Sequence, residues 1–309
     1  MGKNQQVMTA ARKNKNDEFY TLFHDIENEC NHYKEFFRNK IVYCNCDDDR
    51  SSFFNYFVIN FNELNLKYLY ATSYNDTCSI LYSYNGKNNI IGKVLNGNGS
   101  FNSDECIEIL KKSDVVVTNP PFSMFRDYIN LMMEYDKKFI VIGNINAIKY
   151  KEIFPYIIEN KLWFGYTFNA QMIFKTPYKN EIETNRKYVL ARGYNPDYYI
   201  KVPSICWYTN VETDRYDKYL ELTKQYTSNE YDKFDNFDAI NINNVKDIPY
   251  DYDGIMGVPI TFLNKHNPNQ FELIGVANHG KDNKYDLFPP KVNGKDIYTR
   301  ILIKRKLIS

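Results

Sequence analysis

The chain has no apolar run approaching the ~18 residues that a membrane-crossing helix requires, so a soluble protein without a membrane partner is expected. It has only four histidines, at 24, 32, 266 and 279. All lie far in sequence from Cys44 and Cys46, and strand alternation in the apolar run IVYCNC puts those two cysteines on one face. No metal site is expected. The sequence also shows no apolar N-terminal segment. At 309 residues this sets the six cysteines, 30, 44, 46, 78, 106 and 206, apart from the disulfide frameworks of small secreted domains, and reduced thiols in the cytoplasm are expected. Charge of one sign is missing too. A balance of 39 basic and 38 acidic residues excludes polyanion binding over the whole surface and leaves room for a local basic patch.

What is present is an ordinary globular composition, 43% apolar and 25% charged, enough for a sizeable core. The basic residues are uneven. Lys3, Arg12, Lys13 and Lys15 stand in the first sixteen positions without an acid. Lys291, Lys295, Arg300, Lys304, Arg305 and Lys306 stand near the other end against Asp296 alone. Both ends read as solvated tails or as phosphate contacts. The 28 tyrosines and 21 phenylalanines fit a base-stacking surface and fit biased codon usage equally well, so the aromatic count decides nothing.

Periodicity predicts a helix within NDEFYTLFHDIENECNHYKEFF, from apolar residues at 19, 22, 23, 26 and 33, and then a strand in KIVYCNC. FFNYFVINFNEL is helical and KYLYATS is a second strand, which makes a parallel-sheet unit. SDECIEILKKS is a helix with Ser103 as its N-cap, DVVVTN a strand, PFSMFRDYINLMMEY a helix, and KKFIVIGN a strand buried on both faces. KLWFGYT, QMIFKTP and VPSICWYTNV are expected to close the sheet in antiparallel fashion. Beyond about residue 212 the chain turns polar and acidic and is broken by Gly and Pro. The expected division is a basic arm at 1–16, a catalytic domain at 17–211 and a smaller, loop-rich domain at 212–309.

The stretch DVVVTNPPFS carries the chemistry. In an open parallel sheet, ligands bind beyond the carboxyl ends of the strands, and NPPF follows such an end. Pro120 pushes Asn119 toward extended geometry, Pro121 does the same to Pro120, and neither proline offers an N–H. The Asn119 amide oxygen and the Pro120 carbonyl are thus two acceptors in a rigid, donor-poor frame, suited to a group with two hydrogens to give, such as an exocyclic amine. Phe122 is placed to stack on the ring that bears it. The same four letters also punctuate ordinary strand ends.

NPPF after a strand resembles the catalytic motif of S-adenosylmethionine-dependent methyltransferases that act on amino groups, and DEFYT ahead of the first strand resembles their methionine-site motif. KNDEFYTLFHDIENE, VYCNCDD, DVVVTNPPFSMFR and YDGIMGVPITFLNK, in that order, look like the EcoRI-type adenine methylases, with a gamma-like motif order. The resemblance implies an α/β, Rossmann-like methyltransferase fold, a mostly parallel doubly wound sheet with an antiparallel closing hairpin, plus a C-terminal target-recognition domain at 212–309. It implies transfer of a methyl group from S-adenosylmethionine to N6 of a flipped adenine in double-stranded DNA. Asn119, Pro120, Pro121 and Phe122 would be catalytic. Phe19, Tyr20 and Thr21, the turn residues Asn45, Cys46 and Asp47, then Thr72, Ser73, Phe101 and Asn119 would hold the cofactor. The turn after the first strand lacks the usual glycines. The second strand ends without the usual ribose acid, leaving Thr72 and Ser73 as weaker partners unless Asp76 reaches back. Lys13, Lys15, Arg126 and Arg300 would meet the nucleic acid. A bacterial or phage-encoded, DNA-associated monomer is implied, with or without a companion restriction endonuclease that forms no stable complex with it. Action on RNA or on a protein amide, or a silent DNA-binding protein, are the competing readings.

Overall fold

A computed structural model describes residues 19–306, save 88, 169–170, 178, 180 and 281–283, with the backbone alone at 215 and 216. Lys13 and Lys15 lie outside the described residues. The chain falls into two compact units: Met1–Ile145 with Gly165–Val211, and Asn146–Phe164 with Glu212–Ser309. Asn146–Phe164 groups with the C-terminal residues rather than with its sequence neighbours.

In the first unit the strands are β1 (Tyr20–Thr21), β2 (Ile41–Cys44), β3 (Tyr68–Thr72), β4 (Ile80–Tyr84), β5 (Ile91–Val94), β6 (Val115–Thr118), β7 (Lys138–Asn144), β8 (Ile173–Lys175), β9 (Tyr199–Lys201) and β10 (Ile205–Thr209). The helices are α1 (Phe23–Cys30), α2 (Lys34–Phe37), α3 (Ser52–Ile59), α4 (Asp104–Lys112), α5 (Phe125–Glu134) and α6 (Glu183–Leu190). Within this unit the main sheet runs β5-β4-β3-β2-β6-β7-β10. Its centre, β3-β2-β6-β7, is parallel. The β4–β5 hairpin extends one side and β10 follows β7 on the other, both antiparallel. Val115 to Val117 and Phe139 to Ile142 are fully buried, as unbroken apolar runs require when a sheet is covered on both faces. Each such side chain removed from water stabilises by about 1.5–3 kcal/mol.

The helices follow from their apolar spacing. In α5 the residues Phe125, Tyr128, Ile129 and Met132 are buried, an i, i+3, i+4, i+7 stripe. In α3 Phe53, Phe54, Tyr56 and Phe57 are all buried, and the Ser51 hydroxyl caps the helix by accepting from Phe54 N at 3.0 Å. Ser103 does sit at the N-cap of α4, but its hydroxyl makes no capping bond. The helix expected within residues 16–37 is broken: β1 precedes α1, and a 3₁₀ turn at Asn31–Tyr33 separates α1 from α2.

Several expectations are corrected. β2 ends at Cys44, so Cys46 lies in the turn beyond the strand and the two cysteines do not share its face. QMIFKTP contributes β8 to a separate antiparallel sheet, β1-β8-β9, in which Thr21 pairs with Phe174 and Phe174 with Ile200. KLWFGYT does contain the expected strand, at Trp163–Phe164.

The second unit is less loop-rich than its Gly and Pro content implies. β11 (Ala239–Asn241), β12 (Ile255–Pro259), β13 (Phe271–Ala277), β14 (Asp286–Phe288) and β17 (Arg300–Arg305) form a five-stranded sheet, with β15 (Lys291–Val292) and β16 (Lys295–Asp296) as a separate pair. The order is β11-β12-β17-β13-β14. The basic C-terminal stretch is therefore no solvated tail: β17 is the central strand, with Ile301, Leu302 and Ile303 fully buried.

Candidate active site

β2 sits at the switch point of the sheet. Its sequence neighbour β3 lies on one side and β6 on the other, which opens a crevice at the carboxyl ends where open α/β sheets take their ligands. Tyr43 pairs with Val116, so the residues after β2 face those after β6. Asp114 secures the other end of the pair, its carboxylate accepting from Ile41 N at 2.7 Å.

Asn119 follows β6 directly. Its amide nitrogen donates to the carbonyl of Phe19 at 2.7 Å. That bond fixes the orientation of the amide, because a carbonyl can only accept. The opposite atom, Asn119 Oδ1, is buried and has no hydrogen-bond partner among the described residues. Pro120 is buried and Pro121 half-buried. Phe122 opens a 3₁₀ turn over Phe122–Met124 and stacks on Phe19, ring centroids 6.0 Å apart at 26°. Phe19 in turn meets Phe174 edge-on at 6.1 Å. The segment before β1 and the turn after β6 thus touch through a hydrogen bond and a ring stack.

Around this pair lies a second group. Thr118 donates its hydroxyl to Asp47, and Asp47 N donates to the carbonyl of Thr72 at 2.9 Å, so one residue joins the ends of β2, β3 and β6. Burial pushes the Asp47 carboxyl up to about 7, against hydrogen bonds from Thr118 and Ser51 that lower it. Tyr128 of α5 donates to Asn45 Oδ1 at 2.6 Å and packs edge-on against Phe101, centroids 5.0 Å apart. Asn45 Nδ2 and Thr21 Oγ1 are buried without partners among the described residues.

Other predicted positions stand elsewhere. Thr72 is fully buried, its hydroxyl shared with Tyr43 at 2.6 Å and Cys106 at 3.6 Å, so its side chain is engaged inside the sheet rather than offered to a sugar. The Ser73 carbonyl accepts from Ser79 at 2.8 Å. Asp76 does not reach back, because its carboxylate takes a hydrogen bond from Tyr74 on the surface. Cys46 is half-buried, and Tyr20 is 52% exposed. Arg126 is exposed. Arg300 is corrected: it is buried, and its guanidinium donates to Asn241 at 3.0 Å, to the Tyr298 carbonyl at 3.1 Å and to Asn243 at 3.3 Å, which commits it to the sheet of the second unit. Sequence reasoning missed Thr118, Ser51 and Tyr128. Tyr128 carried a signal, a hydroxyl on the buried stripe of α5, since a buried tyrosine needs a polar partner.

Among known proteins, the family model described as adenine-specific methyltransferase EcoRI matches residues 7–306. The Type II methyltransferase M.EcoRI of Escherichia coli is 46% identical over 97% of each chain. The Type II methyltransferases M.MgeORF184P of Mycoplasma genitalium and M.MpnI of Mycoplasma pneumoniae are 42% and 40% identical, over 96% of this chain and 98% and 97% of theirs. No solved structure matches. With a family model spanning nearly the whole chain and relatives of 40% identity or more from end to end, the chain belongs to the EcoRI-type family of adenine-specific methyltransferases.

Proposed function

We propose that this adenine-specific methyltransferase acts at N6 of an adenine swung out of double-stranded DNA, on a Rossmann-like first unit, with the second unit reading the target. The observation that carries the site assignment is the orphaned Asn119 Oδ1, locked by the bond from the other end of the same amide to Phe19. An adenine amine is a poor nucleophile because the ring draws in its lone pair. Two acceptors, Asn119 Oδ1 and the Pro120 carbonyl, take both hydrogens, favour a tetrahedral nitrogen, and stabilise the positive charge that develops there. Phe19 backs one face of Phe122, leaving the other for the extruded base.

Family membership implies S-adenosylmethionine, which supplies an electrophilic methyl group when bound. The residues at the crevice fit that ligand. The unpartnered atoms of Thr21 and Asn45 are neutral hydrogen-bonding groups, suited to sugar hydroxyls and an amino acid end, and Asp47, raised to about 7 by burial, would be drawn toward its ionised form by a cationic centre beside it. Phe19 and Phe101 add apolar walls. Asn119→Ala should lower methyl transfer by about a hundredfold or more while cofactor binding persists. Tritiated methyl incorporation into DNA, RNA and protein in parallel, with calorimetry for the cofactor, measures both. Retained transfer by the variant, or label in RNA or protein rather than DNA, overturns the reading.

A further inference from the structure

A cavity of about 520 Å³ in the first unit is lined by His24, Asp25, Gln171, Tyr188 and Arg192, among others, and by none of the NPPF residues. Two kinds of unmet demand meet around it. Arg192 and Lys201 both sit over the ring of Tyr188, at 3.4 and 4.1 Å from its centroid. Lys201 donates to Gln171 Oε1 at 2.7 Å, and Arg192 makes only a long bond to the Tyr188 carbonyl at 3.4 Å. Among the described residues neither cation pairs with a carboxylate: the neighbouring Arg186 and Lys187 take Asp197 and Glu183, while Arg192 and Lys201 meet only a carbonyl, an amide oxygen and the Tyr188 ring. Desolvation and the proximity of Arg192 lower the pKa of Lys201, the response of a cation short of anionic company.

Asp25 supplies the complementary demand. It is 9% exposed, one carboxylate oxygen lies 3.4 Å from His24 Nε2, and Oδ2 is buried with no partner among the described residues. Burial raises the pKa of the carboxyl, and His24 opposes the rise. A buried carboxylate oxygen costs free energy until an N–H or O–H meets it. Inorganic phosphate satisfies the cations and not Asp25. A ligand joining a phosphate to a planar ring with an N–H edge satisfies both, and the volume accommodates one such unit. We propose that the cavity is a second nucleotide subsite, separate from the methyl-transfer turn. It would hold one unstacked nucleotide of the DNA strand, its phosphate on Arg192 and Lys201 and its base N–H on Asp25.

The inference takes a nucleic-acid substrate from the proposed function but does not depend on the role of Asn119. It is tested by calorimetry on the full chain at low salt, with the four deoxynucleoside 5′-monophosphates and inorganic phosphate as probes. At least one mononucleotide should bind, and Asn119→Ala should leave that binding unchanged. Arg192→Gln should weaken mononucleotide and phosphate alike by about tenfold, the size of one charge-assisted hydrogen bond. Asp25→Asn, of the same shape, should weaken the mononucleotide by about tenfold and leave phosphate unchanged, with cofactor binding as the check on folding. If Asp25→Asn affects neither probe, the cavity is a backbone-phosphate site only and the subsite is refuted. If Asn119→Ala abolishes the binding, the nucleotide sits at the NPPF turn and the subsite is again refuted. Methyl transfer retained by Asn119→Ala would sink the proposed chemistry and leave this inference standing.

Discussion

Asn119 and Asp47 divide the labour at the strand ends. Asn119 is fixed by what its nitrogen donates to, and Asp47 by what it receives from Thr118, the residue just before Asn119. Asp47 also carries a pH signature. Its carboxyl titrates at 3.8 as a free group and at about 7 in the fold. Below about pH 4 both folded and unfolded chains hold the proton, so Asp47 adds no pH dependence. Between the two values the unfolded chain releases its proton first, so stability falls as pH rises and levels off above about 7. Asp47→Asn keeps an oxygen for Thr118 and removes the titration. Against the parent it should gain stability at about pH 8 and not at about pH 4, with a ceiling of about 4 kcal/mol for a shift of roughly three units. Urea unfolding at several pH values measures this, and a variant whose advantage does not change with pH would acquit Asp47.

At the scale of elements, α5 is pressed against β7 at one glycine. A Cβ on Gly143 would stand 2.5 Å from two ring atoms of Phe125 and 3.0 Å from Tyr208, and Phe125 opens α5 immediately after the Phe122–Met124 turn. Gly143→Ala should therefore cost about 1–3 kcal/mol by overpacking and reduce methyl transfer by shifting the turn. Adding Phe125→Leu should recover part of both, read as Tm and turnover; an alanine without effect on either means the clamp is absent. The elements visible in the sequence are those with one dominant period. β6 and β7 are continuous apolar runs, α5 has its stripe, and NPPF stands out because two prolines leave the backbone few alternatives. β4 was illegible because Ile80–Tyr84 is only half-buried along its whole length, so it shows no alternation, whereas β5 falls in NGKNNIIGKVLNGNGS, which reads as a loop with a short strand. α6 escaped because Val189 alone is buried in it. β17 reads as a basic end because Arg300, Lys304 and Arg305 flank its short apolar centre, and only the neighbouring strands reveal that Ile301–Ile303 is core. At the site, Thr118 to Asp47 spans 71 residues and Asn119 to Phe19 spans 100. Such pairings come from sheet order, which local pattern does not encode.

At the scale of the whole molecule, the first unit is interrupted by Asn146–Phe164, which groups with the C-terminal residues. Within the second unit Phe154 is fully buried, and its ring meets Tyr285 at 5.5 Å. A fragment ending at Val211 would keep Phe154 and lose that partner. Such a fragment should bind a hydrophobic dye and aggregate, although every strand of the main sheet that bears the crevice is present. The two ends of the interruption are near each other. Ile145 N bonds to the Ser204 carbonyl and Gly165 N to the Trp207 carbonyl, at 2.7 and 2.9 Å, and those acceptors are three residues apart in the chain, so at most about 10 Å. A flexible linker of about eight glycine and serine residues, with a typical span of ~15 Å, can replace Asn146–Phe164. The rejoined first unit should melt cooperatively, stay free of the dye and keep cofactor affinity, while losing DNA affinity if the second unit reads the target. If the uncut fragment to Val211 behaves as well as the rejoined one, Asn146–Phe164 is stable without the C-terminal residues, and the division into units falls at Val211 alone.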